Sequence, residues 1–249
     1  MQQSKQPRAV IAICIQEPFE DGSSMDFGII QGDNLRFVHQ AFISDTISNA
    51  LEVPDADVRL YYIDHADRRR LVQIVTEYLR KSRVGKKTDE LTTRFSSYEC
   101  KKERWGIRVG KVFQDCFAAG YQSVVVIGSR TPTITPTMMK TALKLLGQSD
   151  AVFGPTPDGR YYMLGMSGNY HFDLAGFDWT SPSIYSEVAE EFTRRELSWS
   201  ELEIWYAVET TDDLEIMVRD INQLRFEGNE AVARETETIM ERILAKLEP

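Results

Sequence analysis

Two periods of hydrophobic spacing alternate along this chain. Ala9–Ile15 (AVIAICI) is an unbroken apolar run, the pattern of a strand buried on both faces. Asn34–Leu51 then sets Leu35, Val38, Phe42, Ile43, Ile47 and Ala50 at helical spacing. Val58–Ile63 (VRLYYI) predicts a second strand, and Arg68–Arg80 a helix with Leu71, Val72, Val75, Tyr78 and Leu79 on its apolar face. Helical spacing resumes over Ile107–Ala119, closed by Gly120 as a C-terminal cap, and Ser123–Ile127 (SVVVI) is the clearest strand of all. Thr135 and Pro136 supply the cap and first-position proline of a helix running to Leu146. Ser181 and Pro182 repeat that signal for a helix to about Arg195. Between them, Ala151–Phe153 and Tyr161–Met166 are short strands around the turn Thr156-Pro157-Asp158-Gly159. Thr211 or Asp212 starts another helix to about Arg225, and Glu230–Leu247 forms a last, acidic amphipathic helix.

Strands alternating with helices predict an α/β fold with a mostly parallel sheet and helices on both faces. Neither a repeat nor a separating linker is visible, so the expectation is one domain over residues 1–249, with a core of about 9–226 and a C-terminal helix over 229–247. Ser82–Arg104 is polar, basic and weakly periodic. It is too long for an idle connection, which predicts a functional or mobile loop.

Charge changes this picture locally. The chain carries 29 Lys and Arg against 38 Asp and Glu, a net charge of −9 that argues against nucleic acid or a membrane surface as partner. Yet His65–Lys111 holds 14 basic and 6 acidic residues, while Glu187–Pro249 holds 17 acidic and 7 basic ones. An anionic ligand would therefore be drawn to the first half. Cys14, Cys100 and Cys116 form an odd, widely spaced set without CxxC, and the short apolar start reads as a strand rather than a span. Both features suit a cytoplasmic protein.

In an open α/β sheet, ligands bind beyond the carboxyl ends of the strands, here Gln16–Gly32, the stretch after Ile63, and Gly128-Ser129-Arg130-Thr131-Pro132. No GxGxxG follows the first strand, and neither GxxxxGK[ST] nor GxSxG occurs. His39, His65 and His171 lack the spacing of a zinc site, so no metal ligands are assigned. Asp158 is a candidate catalytic or acceptor-binding carboxylate, although Pro-Asp-Gly is also a common turn. Trp179 reads first as a packing residue, and Asp212 and Asp213 suit a helix start whatever the function.

The segments SVVVIGSRTPTITP and AVFGPTPDGRYYMLGM carry a resemblance. Ile127-Gly128-Ser129, Pro132, Thr135, Gly154-Pro155, Asp158-Gly159, Tyr161-Tyr162 and Leu164-Gly165 match an ordered pattern, IGSD-x-P-x-L-T followed by GP-x-x-DGGYYLIG. Trp179-Thr180 and Thr210-Thr211-Asp212-Asp213-Leu214 follow in order, and Trp105-Gly106-Ile107-Arg108 stands for an upstream LGER. From Ala9 to about Phe226 the chain resembles the domain of unknown function 2064 family, which is related to nucleotide-diphospho-sugar transferases of the GT-A fold.

The resemblance implies a three-layer GT-A-like sandwich and a glycosyltransferase- or nucleotidyltransferase-like protein binding a nucleotide or nucleotide sugar. It implies Asp158 as the catalytic residue and Gly128, Ser129, Arg130 and Arg108 as the phosphate or nucleotide site. Gly159, Tyr161, Tyr162 and Trp179 would lie on the acceptor side. Relatives of this fold hold Mg²⁺ or Mn²⁺ through an acidic residue after the fourth strand, and here that position is Arg130, which would repel a cation. The family's basic first loop appears as Gln16-Glu17-Pro18-Phe19-Glu20-Asp21-Gly22, and its late D-x-D as Ala207-Val208-Glu209. Two readings stay open: metal-independent transfer, with Arg130 and Arg108 on phosphate and Asp158 on the acceptor hydroxyl, or a catalytically degenerate relative acting as a binding or structural module. The sequence sets neither the oligomeric state nor the donor and acceptor.

Overall fold

A computed structural model describes residues 9–16, 19–20, 23–63, 69, 73, 93–168, 173–228 and 232–247. Its strands are β1 (Ala9–Cys14), β2 (Phe19–Glu20), β3 (Ser23–Ser24), β4 (Ala56–Tyr62), β5 (Phe95–Glu99), β6 (Ser123–Gly128), β7 (Ala151–Pro155), β8 (Tyr161–Ser167) and β9 (Trp199–Glu201). Its helices are α1 (Gly32–Leu51), α2 (Trp105–Ala118), α3 (Pro136–Leu145), α4 (Ile184–Arg194), α5 (Thr211–Phe226) and α6 (Arg234–Leu247).

Seven strands form one sheet in the order β5-β4-β1-β6-β8-β7-β9. The pairs β1/β4, β1/β6, β4/β5 and β7/β9 are parallel, whereas β8 runs antiparallel to both β6 and β7. Adjacent side chains of β1 go to opposite faces, as the two-residue period of a strand requires. Ile11 and Ile13 pack with Ile43 and Ile47 of α1 and Met139 and Ala142 of α3. Val10 and Ala12 pack with Val109 and Val112 of α2 and Val188 and Phe192 of α4. Helices on both faces of a mostly parallel sheet make the expected three-layer α/β sandwich.

A third cluster joins Phe42 of α1 to Met217 of α5 and Ile243 of α6. The amides of Glu235 and Thr236 at the start of α6 donate to the buried Asp45 carboxylate at 3.0 and 2.8 Å. Thus α1 caps the last helix from the side. No helix among the described residues is long and apolar enough to cross a membrane.

Several boundaries differ from the sequence reading. Part of the stretch read as a loop, Ser82–Arg104, is the edge strand β5, which pairs with β4 through Val58–Tyr62. Its sequence, FSSYE, has too few apolar positions to announce itself, because an edge strand is held by backbone bonds. The strand β9 was likewise silent, being only three residues long. Helix α4 begins at Ile184 rather than Pro182, with Ser181 instead accepting the Ser183 amide at 3.2 Å. Helix α6 begins at Arg234, later than Glu230. The helix expected over Arg68–Arg80 lies outside the described residues except positions 69 and 73. The side chains of Glu17, Glu20 and Asp21, on which the acidic first loop depends, also lie outside them.

Candidate functional site

The carboxyl ends of β1, β6 and β7 open on a cleft of about 1040 Å³. Gln16 follows β1, Gly128 ends β6 with Arg130 and Thr131 just beyond it, and Thr156–Asp158 and Arg160 form the turn between β7 and β8. The segment Lys102–Gly106 at the start of α2, the segment Ala175–Thr180, and Tyr206, Ala207 and Glu209 complete the wall.

The floor of the cleft is ionic. Arg130 is buried and donates from Nη1 to Glu209 Oε1 at 2.9 Å. Arg160 donates from Nη2 to the other oxygen of the same carboxylate at 2.8 Å. Arg160 Nε also donates to Asp158 Oδ2 at 2.6 Å, and the Thr156 hydroxyl donates to Asp158 Oδ1 at 2.5 Å. Backbone bonds aim Glu209 at this cluster: the Val208 amide donates to the Arg130 carbonyl at 2.7 Å and the Glu209 amide to Asp213 at 3.0 Å. Asp213 also closes a capping box with Thr210 at the start of α5, so its role is to begin the helix and hold Glu209.

Both carboxylates in the cluster are held in the anionic form. Burial pushes the Glu209 carboxyl up, but the charges of Arg130 and Arg160 and their hydrogen bonds outweigh it, leaving it below the usual range. Burial also raises Asp158, and bonds from Thr156 and Arg160 together with the Arg160 charge bring it below its ordinary value. A carboxylate so stabilised is a weak proton acceptor.

A divalent cation does not fit this floor. Each Glu209 oxygen already accepts from a guanidinium, and no group of three or more His, Cys, Asp or Glu side chains among the described residues could hold a metal ion. The two arginines supply the positive charge to which these carboxylates are bound.

The candidates from sequence fall into two sets. Gly128, Arg130, Asp158, Tyr161 and Tyr162 all line the cleft, as does Trp179. Arg108 and Ser129 do not line it, and both side chains are buried. Arg108 is buried, its guanidinium carbon 4.9 Å from the centre of the Trp105 ring. Ser129 is buried too, its hydroxyl bonded to His39 Nε2 at 3.0 Å and accepting the Gln16 amide at 3.1 Å. Burial first, and then the charge of Arg130, pushes His39 down to about 3, so this pair is a neutral brace behind β6.

Gly159 meets a backbone requirement. It has φ of +81°, and a Cβ there would lie 1.9 Å from the Pro182 carbonyl oxygen. Tyr162 is buried and donates to the Glu203 carbonyl at 3.0 Å, so it braces the wall. Trp179 donates to the Leu174 carbonyl at 2.7 Å and packs edge-on against Tyr161, with ring centres 4.9 Å apart. Tyr161 in turn accepts from the indole nitrogen of Trp105. A Cβ on Gly106 would lie 2.4 Å from both the Leu174 oxygen and the Trp179 nitrogen, which explains a glycine in the Trp105–Arg108 motif.

Sequence reading missed Arg160. The signal was present, because Arg160 occupies the place of the second glycine in the DGG pattern. It stands out only beside Arg130, since these two departures, far apart in the chain, meet on one carboxylate.

Solved structures share this fold. A protein of Desulfovibrio desulfuricans G20, provisionally named a nucleotide-diphospho-sugar transferase, is 23% identical with a TM-score of 0.69, covering 94% of this chain and 97% of its own. A 4-diphosphocytidyl-2C-methyl-D-erythritol synthase of Anaerococcus prevotii DSM 20548 is 14% identical with a TM-score of 0.51, covering 85% and 94%. A cytidylyltransferase of Leptospira borgpetersenii serovar Hardjo-bovis (strain JB197) is 8% identical with a TM-score of 0.54, covering 95% and 94%. At these identities the likeness establishes the fold alone. No curated protein matches significantly. Residues 46–181 match the model of a family described as an uncharacterized protein conserved in bacteria, and with more than half its length covered, this chain belongs to that family, domain of unknown function 2064.

Proposed function

We propose that this chain binds a nucleotide or nucleotide sugar in the cleft without a divalent cation and does not turn it over. The observation that carries this reading is Glu209 held between Arg130 and Arg160, with both of its oxygens engaged. Guanidinium groups supply the charge that a cation would otherwise bring to a diphosphate. Asp158, the acid–base candidate of the sequence, is bonded to Arg160 and Thr156 and held anionic, so it is poorly placed to take a proton from an acceptor.

Melting the protein against a panel of nucleotides and nucleotide sugars, with EDTA or with Mn²⁺, tests this. The reading expects at least one ligand to raise the midpoint equally in both. No shift from any of them would end the donor-binding claim, and a shift that needs Mn²⁺ would end the cation-free one.

A second reading, metal-independent glycosyl or nucleotidyl transfer, is favoured by the position of Asp158 on the cleft wall with 48% of its side chain exposed. It expects slow release of nucleoside phosphate from the ligand that binds, lost in Asp158→Asn. The binding reading expects none.

A further inference from the structure

Four ionic side chains run in series across the cleft floor: Arg130, Glu209, Arg160 and Asp158. The two ends of the series differ in their access to water. The side chains of Arg130 and Glu209 are 1% and 13% exposed, whereas those of Arg160 and Asp158 are 29% and 48% exposed. Parting Arg130 from Glu209 would leave a guanidinium charge in the interior without that carboxylate, which is strongly unfavourable. Parting Arg160 from Asp158 releases a half-exposed carboxylate to solvent, where it is readily hydrated and the pair is worth little.

The contact between them has the form of ligand recognition. Both Nε and Nη2 of Arg160 lie 2.6 Å from Asp158 Oδ2, so the carboxylate takes the guanidinium edge that a phosphate oxygen would take. Asp158 is thus an internal occupant of an anion site. The other acids of the cleft are already engaged: Glu103 by Lys111, Asp178 by the Thr180 amide and hydroxyl, and Asp213 by the backbone and hydroxyl of Thr210. Lys102 and Arg104 stand exposed on the same cleft, Arg104 donating to the Ala175 carbonyl at 3.4 Å.

We infer that Arg160 is the residue that grips a phosphate-type anionic group of the ligand, exchanging Asp158 for it, while Arg130 stays on Glu209 as a fixed counter-charge. This rests on the proposed reading of the cleft as a ligand site, but not on the nucleoside part of that ligand. It divides the labour of two arginines, one of which the sequence resemblance had already placed on phosphate. Arg130 is a positioning residue acting through Glu209, and Arg160 makes the contact.

Calorimetric titration of inorganic pyrophosphate in EDTA into the full chain tests the exchange, with each variant first shown by melting to be folded. Asp158→Asn keeps the side-chain oxygen that serves the turn but removes the competing charge, and it is expected to tighten pyrophosphate about 2–5-fold. Arg160→Gln is expected to weaken it about tenfold or more. Unchanged or weaker binding to Asp158→Asn overturns the inference, as does wild-type affinity in Arg160→Gln or an absence of binding to every form. If pyrophosphate behaves as expected and no nucleotide or nucleotide sugar binds, Arg160 stands and the nucleotide reading falls. If nucleotides bind equally well to wild type and Arg160→Gln, the nucleotide reading stands and the Arg160 inference falls.

Discussion

Replacing Glu209 with Gln separates an ionic floor from a merely crowded one. Gln keeps the size and one acceptor oxygen, but it removes the negative charge shared by Arg130 and Arg160. Arg130 is 1% exposed and would be left in the interior facing an amide. Breaking a buried ion pair by deleting one partner costs about 3–5 kcal/mol. The 13% exposure of Glu209 and the surviving acceptor lower the expectation here to about 2–3 kcal/mol. For a chain of this size that corresponds to a fall of about 5–10 °C in melting midpoint, measurable by calorimetry or by urea unfolding followed by circular dichroism.

The sign of the coupling is the sharper test. Arg130→Met removes the buried cation and leaves Glu209 with Arg160, so it should cost less than Glu209→Gln. The double variant Arg130→Met/Glu209→Gln should be more stable than Glu209→Gln alone, because the buried cation that lost this carboxylate is gone. If Glu209→Gln lies within about 0.5 kcal/mol of wild type, or if the two single changes simply add, the floor is not held by this pair.

Other expectations follow from single contacts. Gly159→Ala forces a Cβ into the Pro182 carbonyl at a φ of +81°, so it should lower stability by more than the roughly 1–3 kcal/mol typical of backbone strain, measured by urea unfolding. Asp45→Ala removes the acceptor for two amides at the start of α6 and should cost about 1–2 kcal/mol, with hydrogen exchange quickening first in α6. Burial pushes the Asp45 carboxyl up to about 7 from 3.8, against the pull of its bonds to Thr236 and Glu235. The folded state therefore keeps this proton longer than the unfolded chain, so its contribution to stability falls as pH rises from about 4 to about 7, a slope that Asp45→Asn should remove. Glu209 titrates the other way. Its folded pKa lies below 4.5, so its contribution is complete above that pH and is lost as acid carries the solution through the lower, folded value.

The core elements were legible because their burial is written in side chains. The run AVIAICI serves both faces of the sheet, and SVVVI, paired to β1 and β8, has four residues fully inside. Thr135 and Pro136 announced α3 through a cap bond that is present, the Met138 amide donating to the threonine hydroxyl at 3.2 Å. The edge strands β5 and β9 were illegible, since their place in the sheet depends on backbone pairing with distant segments rather than on their own composition. The site divided in the same way. Motif matching drew attention to Arg108 and Ser129, but such positions also encode packing, and both side chains lie inside the wall. The place of Arg160 depends on β7, β8 and the segment after β9 meeting at Glu209, a relation between positions 160 and 209 that no local pattern contains.

The central claim is that a guanidinium, that of Arg160 with Arg130 held behind it on Glu209, and not a divalent cation serves the anionic part of the ligand in this cleft. Its most direct measurement is a calorimetric titration of the strongest ligand from the nucleotide and nucleotide-sugar panel, carried out once in EDTA and once in saturating Mn²⁺. The account predicts the same dissociation constant in both, within about twofold. Binding that vanishes in EDTA and returns with Mn²⁺ would contradict it.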